Sequence, residues 1–481
     1  MLLKTRTLSL TEQLAERLAE RIRSRLLAPG ARLASVRLCA QQQGVSPSTV
    51  VAAYDKLLAQ GLVEARRNRG FYVRQVPTTP DPTPAAWLPG YEMGAPERAV
   101  VQVTPVHQVP VHATALIRGM FHGVSDKPQP GLGAFPVDWL TTSFLGTALR
   151  RVTQQGSLSA LSLQYGEPAG DMGLRQALSL KLMGINVQAS AQQIITTVGA
   201  THGLDVVSRT LLKAGDYVMV EEPGWAVEFA RLEALGMRIL PVPRGPEGPD
   251  LEVMARYCAL HAPKLFVSVS VLHNPTGFCL SPGSAHRVLQ LANANNFYIV
   301  EDDTYSHLAP EHATRLCALD SLQRTIYVSG FSKILAPGWR VGYVAAPQAL
   351  VERLIDTKLL ATLTTPSLLE KALAWCIEQG QLRRHAERVR TRLELARARS
   401  VKLALAAGCT FHAPPAGLFG WVDTGVDTDA LAQRMLDRGY LLAPGALFHA
   451  SRQPSTLMRI NFCTTQEAQF WDDFSLTRAE L

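Results

Sequence analysis

A chain of 481 residues and 52.4 kDa is long enough for about three domains of roughly 150 residues each. With 47% hydrophobic, 7% aromatic and 18% charged residues, its composition is that of a globular protein and excludes a disordered or fibrous one. The net charge of +8 is concentrated: residues 1–75 hold 13 Lys+Arg against five Asp+Glu, while the other 406 residues balance at 35 against 35. A basic module on a neutral body predicts a polyanionic partner for the module alone.

The uncharged stretches Ala99–Ile117 and Leu265–His286 are interrupted by prolines and polar residues, so neither predicts a bilayer span. The first residues, Met1-Leu2-Leu3-Lys4-Thr5-Arg6, lack a continuous apolar run, so no signal peptide is expected. Seven scattered cysteines with no Cys-x-x-Cys pair suit a reducing cytoplasm and predict neither disulfides nor a metal site.

In chain order, Leu14, Leu18, Ile22 and Leu26 give a first helix one apolar face. A short second helix runs from about Val36 to Gln42, and Gly44 supplies the turn after it. Ser46-Pro47 reads as an N-cap followed by proline at the first position of a third helix, with Val50, Tyr54, Leu57 and Leu58 on its buried side. Leu62–Ala65 and Phe71–Val73 predict a hairpin around the loop Arg66-Arg67-Asn68-Arg69-Gly70. The organisation predicted is a module over 1–75, a linker over 76–111 with eight prolines, and a body over 112–481. In the body, the apolar runs Ile194–Val198, Tyr217–Glu221, Leu265–Val271, Phe297–Val300, Thr325–Val328 and Arg340–Ala345 alternate with helical stretches. That alternation predicts an α/β fold with a mainly parallel sheet over about 165–365. A long helical stretch over 366–407 opens a smaller α+β part, which reaches 481 and is joined by the body's N-terminal segment.

In a helix-turn-helix the second helix enters the major groove, which here puts Ser46, Ser48 and Thr49 at base edges or phosphates. The cationic loop suits a wing. Gly30-x-Arg32-Leu33-x-Ser35-x-Arg37, Gly44-Val45-Ser46-x-x-Thr49-Val50, Ala53-Tyr54-x-x-Leu57-x-x-x-Gly61-Leu62 and Arg69-Gly70-x-x-Val73 resemble the GntR-type winged helix-turn-helix. The resemblance implies Arg37, Ser46, Ser48, Thr49, Arg66, Arg67 and Arg69 as DNA contacts. Ala34 and Pro47 depart from the family's usual proline and arginine.

Four groups of residues in the body recur at strand ends: Gly199-Ala200-Thr201-His202-Gly203, Glu222-Pro223-Gly224-Trp225, His273-Asn274-Pro275-Thr276-Gly277 and Glu301-Asp302-Asp303-Thr304-Tyr305. Ser332-Lys333 follows a further strand, with Arg340 seven residues on. Strand ends of open α/β sheets are where ligands bind, and a helix start there can hold a phosphate. In this order and spacing the set resembles fold-type I aminotransferases, whose cofactor is pyridoxal 5′-phosphate. The resemblance implies Lys333 as the Schiff-base lysine, Asp302 at the pyridine nitrogen, and Tyr305 and Asn274 at the phenolic oxygen. It further implies Trp225 stacked on the ring, and Ala200, Thr201, Ser332 and Arg340 on the phosphate. Tyr165 would reach a phosphate across a dimer interface, and Arg459 would grip a carboxylate. Gly330 departs from the pattern where many relatives carry a phosphate-binding serine, which implies either a weaker hold on the phosphate or compensation by the neighbouring Ser329.

The whole chain is similar to the MocR-type regulators. That implies a cytoplasmic homodimeric transcription factor that binds double-stranded operator DNA and senses an amino compound as an external aldimine, with slow or partial transaminase activity. The alternative is an active aminotransferase acting on an amino acid and a 2-oxo acid, in which the N-terminal module matters little.

Overall fold

The computed structural model describes residues 9–23, 27, 29–66, 70–74, 125–155, 158–310 and 312–481. The proline-rich segment 76–111, Leu26, Arg67 and Arg69 lie outside them. By its internal contacts the chain divides into two units, residues 1–127 with 436–440, and residues 128–435 with 441–481.

Among the described residues, the first unit holds three helices, α1 (Leu10–Arg23), α2 (Val36–Gln43) and α3 (Pro47–Ala59), and a hairpin of β1 (Val63–Arg66) and β2 (Gly70–Val73). Ser9 and Glu12 cap α1 reciprocally, the Ser9 amide donating to the Glu12 carboxylate at 2.9 Å and the Glu12 amide to Ser9 Oγ at 3.2 Å. Gly44 ends α2 at φ 65°, a left-handed conformation that carries the chain directly into the Ser46 cap of α3. Leu14, Leu18, Ile22, Val50, Ala53, Tyr54 and Leu57 form one buried core. The Tyr54 hydroxyl donates to Ala34 O at 2.8 Å, tying α3 to the turn before α2.

The second unit is built on seven strands: β3 (Ile194–Thr197), β4 (Tyr217–Glu222), β5 (Arg238–Pro243), β6 (Leu265–Ser268), β7 (Tyr298–Asp302), β8 (Thr325–Gly330) and β9 (Gly342–Ala345). Their order is β3-β9-β8-β7-β6-β4-β5, parallel except at β9, which runs antiparallel to both neighbours. Alternate residues enter two different cores. Val218, Val220, Leu265, Val267 and Val300 face one, and Met219, Phe266 and Ile299 face the other. Burial on both faces is why these strands read as unbroken apolar runs.

A second, antiparallel sheet comprises β10 (Thr410–Phe411), β11 (Phe419–Asp423), β12 (Ala443–Pro444) and β13 (Leu457–Asn461), in the order β10-β11-β13-β12. Three expectations are corrected. β6 stops at Ser268, because Ser268 Oγ and the Val269 amide turn to the Glu221 carboxylate at 3.0 and 2.8 Å. The helical stretch expected over 366–407 is two helices, Ser367–Glu378 and Gln381–Ala406, broken at Gly380 with φ 64°. β5 was hidden by Pro241 and Pro243, which an edge strand tolerates because one side of its backbone has no ladder partner.

Candidate active site and DNA-binding surface

The parallel strands deliver their functional residues at their carboxyl ends. Lys333 follows β8 through the Phe331–Ser332 turn, and its Nζ donates to Gly133 O at 2.5 Å. Burial pushes the ammonium down to about 8, helped by the positive charges of Arg459 and Arg340 and opposed by Asp302. Asp302 ends β7, and its Oδ1 accepts from the Thr304 amide at 3.1 Å and from the Thr304 hydroxyl. Burial pushes its carboxyl up to about 6, with those two hydrogen bonds pulling the other way. Tyr305 is buried edge-on to Phe419 at 5.6 Å, and burial raises its phenol.

Arg459 rises from β13 into the same space. Its Nη1 donates to Asn274 Oδ1 at 3.0 Å and its Nη2 to Gly131 O at 2.6 Å, and its guanidinium lies over the Phe419 and Phe448 rings at 4.3 and 5.1 Å. These partners are neutral, its Nε has no partner, and burial lowers it to about 10. A buried guanidinium held only by dipoles and π faces keeps donor capacity that a carboxylate can take up. Asn274 is buried on a cis Asn274–Pro275 turn. Arg459 takes its carbonyl end and leaves Nδ2, the end that donates to a phenolic oxygen.

The phosphate cradle is made by close backbone approach. Gly199, at φ 79°, precedes the helix Ala200–Leu211; a Cβ there would lie 2.5 Å from Arg340 Nη2. On Gly342 a Cβ would lie 2.4 Å from Gly199 C, and on Gly330 it would lie 3.3 Å from the Ala200 amide nitrogen. Arg340 is held at φ 50° with Nη1 donating to Ser332 Oγ at 3.2 Å and Nη2 to Val198 O at 3.0 Å. Ser329 does not stand in for the residue missing at Gly330. Strand alternation turns it to the other face, where its hydroxyl donates to Asp303 O at 2.8 Å, fully buried.

Trp225 is half-buried at the start of the helix Ala226–Ala234, after a cis Glu222–Pro223 bond. Thr201 is exposed, and Tyr165 is 80% exposed in the single chain. Lys333 and Asp302, both half-buried, thus belong to one group with the buried Tyr305, Asn274 and Arg459, and Ser332, Ala200 and Arg340 to the adjoining cradle. An acid, a lysine held nearer neutrality and a glycine-walled anion cradle fit pyridoxal 5′-phosphate.

Sequence reading missed the support behind Asp302. Asp303 Oδ2 accepts from Arg315 Nε at 2.6 Å and from the Tyr327 hydroxyl at 2.9 Å, all three buried. On its other side Glu301 accepts from the Leu316 and Cys317 amides at 2.7 and 2.9 Å. The run of three acids was the available signal, but nothing in it names the arginine twelve residues on.

In the first unit, Ser46 caps α3 by accepting from the Thr49 amide at 3.2 Å, and its hydroxyl lies 2.8 Å from those of Ser48 and Thr49. Arg37, Ser46 and Ser48 are exposed. Arg66 is committed within the hairpin: its Nε donates to Glu64 at 2.8 Å and its guanidinium lies 4.4 Å from the Tyr72 ring centre.

A family model for aminotransferases of class I and II matches residues 145–470, and one for bacterial regulatory proteins of the gntR family matches residues 10–73. The chain belongs to the class I and II aminotransferases and carries a GntR-family DNA-binding module. This aminotransferase-family chain is 30% identical over 448 residues to the uncharacterized HTH-type transcriptional regulator YdcR of Escherichia coli, covering 91% of its own length and 92% of that protein's. It is 30% identical over 372 residues to the probable rhizopine catabolism regulatory protein MocR of Rhizobium meliloti, covering 76% and 71%. The kynurenine aminotransferase of Pyrococcus horikoshii superposes with a TM-score of 0.68 at 26% identity, over 76% of this chain and 94% of that one. The α-aminoadipate aminotransferase LysN of Thermus thermophilus, at 22% identity and a TM-score of 0.69, shares the fold. GntR module and aminotransferase body on one chain are the architecture of MocR-type regulators.

Proposed function

We propose that the chain is a pyridoxal-phosphate-dependent transcriptional regulator that senses a carboxylate-bearing amino compound and changes its binding to operator DNA in response. The single observation that carries this is the intact lysine–acid–arginine constellation of Lys333, Asp302 and Arg459 on a chain whose residues 10–73 are a GntR module. Bound cofactor supplies an electrophilic carbon and an electron sink. Arg340, Ser332 and the Ala200 amide would hold its phosphate, Asp302 its ring nitrogen, Asn274 Nδ2 and Tyr305 its phenolic oxygen, and Trp225 its ring face. The free capacity of Arg459 would bind an effector's carboxylate, and Lys333, whose basicity is depressed, would hold or move a proton beside it.

In this proposal the protein is a cytoplasmic homodimer in which Tyr165, exposed in the single chain, reaches the partner's phosphate. Arg37, Ser46, Ser48 and Thr49 contact DNA, together with Arg67 and Arg69 of the hairpin loop. The test follows two signals on one cofactor-loaded preparation, the visible absorbance and operator affinity, across a panel of amino acids and amines. A regulator gives an absorbance change that coincides with a change in DNA affinity, at turnover far below the typical enzymatic order of 10 per second.

One observation favours a second reading, transamination. Lys333 lowered to about 8 is suited to moving protons in a working enzyme. Rapid turnover with a 2-oxo acid, and DNA binding indifferent to every amine tried, would establish it instead.

A further inference from the structure

The helix Gln381–Ala406 is strongly basic on a body whose overall charge balances. Arg383, Arg384, Arg388, Arg390, Arg392, Arg397, Arg399 and Lys402 stand against Glu387 and Glu394. Arg384, Arg388 and Arg392 recur every four residues, so they form one row about 12 Å long. That row lines a cavity of about 1070 Å³, with Thr142, Thr147 and Trp375 opposite or beside it. The volume is in the range of small-molecule sites.

The three guanidinium groups are anchored one by one. Arg384 Nη2 donates to Gln379 O at 2.9 Å. Arg392 pairs with Asp138 at 2.6 Å and lies over Trp139 at 4.3 Å. Arg388 Nη2 donates to His385 Nδ1 at 3.4 Å. His385 is buried, and its Nε2 donates to Ile334 O at 2.7 Å, which fixes the tautomer that leaves Nδ1 as an acceptor. Each guanidinium is thus oriented by one hydrogen-bond partner, Arg392 by a ring face as well, with most of its five donors uncommitted. Two further features point to a ligand. Thr142 lines the cavity, and its Oγ1 has no hydrogen-bond partner although the atom itself is screened from solvent. Glu387 is the cavity's one acidic residue, so once Arg392 is matched by Asp138, Arg384 and Arg388 leave one positive charge in excess over Glu387.

We propose that this cavity is a second anion site, separate from the cofactor cradle, that takes a small phosphate-chain anion of the di- or triphosphate class. Arginine forks with neighbouring hydroxyls match phosphate oxygens. The chemistry is shared by inorganic phosphate chains and by nucleotides, whose base would meet the half-buried Trp375.

Isothermal titration of the full, cofactor-loaded chain with inorganic tripolyphosphate at physiological ionic strength tests it. Saturable one-to-one binding is expected, weakened about tenfold or more by Arg384→Gln with Arg388→Gln, through loss of charge-assisted hydrogen bonds. Arg383→Gln with Arg399→Gln removes the same charge from exposed positions outside the cavity and is expected to leave affinity within about twofold, since exposed charges act weakly at a distance. Thr142→Val, which keeps the charge, is expected to weaken binding by a smaller factor and guards against a folding defect in the double variant. Adenosine triphosphate binding tighter than tripolyphosphate assigns the site to nucleotides, and equal affinity assigns it to inorganic chains. No saturable heat at millimolar anion overturns the proposal. Equal weakening by the two double variants does so too, as does a variant effect seen only with double-stranded DNA.

Discussion

The two functional surfaces of this chain are built by opposite means. In the body, Lys333, Asp302, Asn274 and Arg459 are held by one another, by backbone carbonyls and by aromatic rings, and burial shifts the basicity or acidity of three of them. In the module, Arg37, Ser46 and Ser48 are exposed, and the hydrogen bonds at that surface satisfy the module itself: a helix cap and an arginine–glutamate pair. A buried site stores its selectivity in preorganised groups before the ligand arrives. An exposed basic face is completed by the phosphates it meets. Single changes in the body are therefore expected to act in an all-or-none manner, and single changes in the module by increments.

The largest effect is expected at Lys333. Lys333→Ala removes the one amine placed to bond the cofactor carbonyl, so borohydride should fix no cofactor to the chain, while the melting temperature of the apo-protein stays near the parent's. Retention of a borohydride-fixable linkage would move the site elsewhere.

Next comes the buried pair behind Asp302. Arg315→Leu leaves Asp303 as a buried charge with only the Tyr327 hydroxyl, and breaking one side of such a pair costs about 3–5 kcal/mol. Denaturant unfolding measures that loss. Replacing both members, with Asp303→Asn added, should recover part of it, because the stranded charge is gone. An Arg315→Leu protein as stable as the parent would mean the pair has no role in holding the end of β7.

A pH experiment sharpens the contrast. Since Lys333 is lowered to about 8, its neutral, acylatable amine appears in the apo-protein as pH rises through about 8, below the range of ordinary lysines near 10.4. Asp302 is the anion that opposes this lowering, so Asp302→Asn should move the midpoint lower still. Asp302 itself, raised to about 6, is neutral below that pH and ionised above it. Its ionisation costs the apo-fold stability as pH rises from about 4 to about 6, and a bound pyridinium cation opposes that loss. Peptide mapping of acylated Lys333 against pH checks the midpoint and the direction of the Asp302→Asn shift.

The same contrast decides what could be read before any coordinates. Lys333, Asp302, Asn274 and Arg459 were legible because each sits in a short motif at a strand end, where chemistry restricts the residue type. Gly131 and Gly133 were not, because they act through backbone carbonyls on a segment with no motif of its own. Ser329 was misjudged by one residue, since a single step along a strand reverses the face. β5 escaped because its prolines argue against a strand unless its edge position is known. In the module the fold was fully patterned, but the pairing of Arg66 with Glu64 is a choice between solvent, phosphate and neighbour that spacing does not decide.

The smallest predicted effect separates cap from contact at Ser46. Ser46→Ala removes the acceptor for the Thr49 amide and should cost about 1 kcal/mol locally, seen as faster amide exchange in the first turn of α3. Ser46→Asp keeps a capping oxygen and adds favourable charge at a helix N-terminus, so protection should return to the parent level or above it. The same charge repels a phosphate backbone. If Ser46 faces DNA, Ser46→Asp should therefore weaken operator binding although it restores the helix, whereas Ser46→Ala weakens it only slightly. If Ser46→Asp restores both amide protection and DNA affinity, the hydroxyl is a cap alone, and the readout at the start of α3 falls to Ser48 and Thr49.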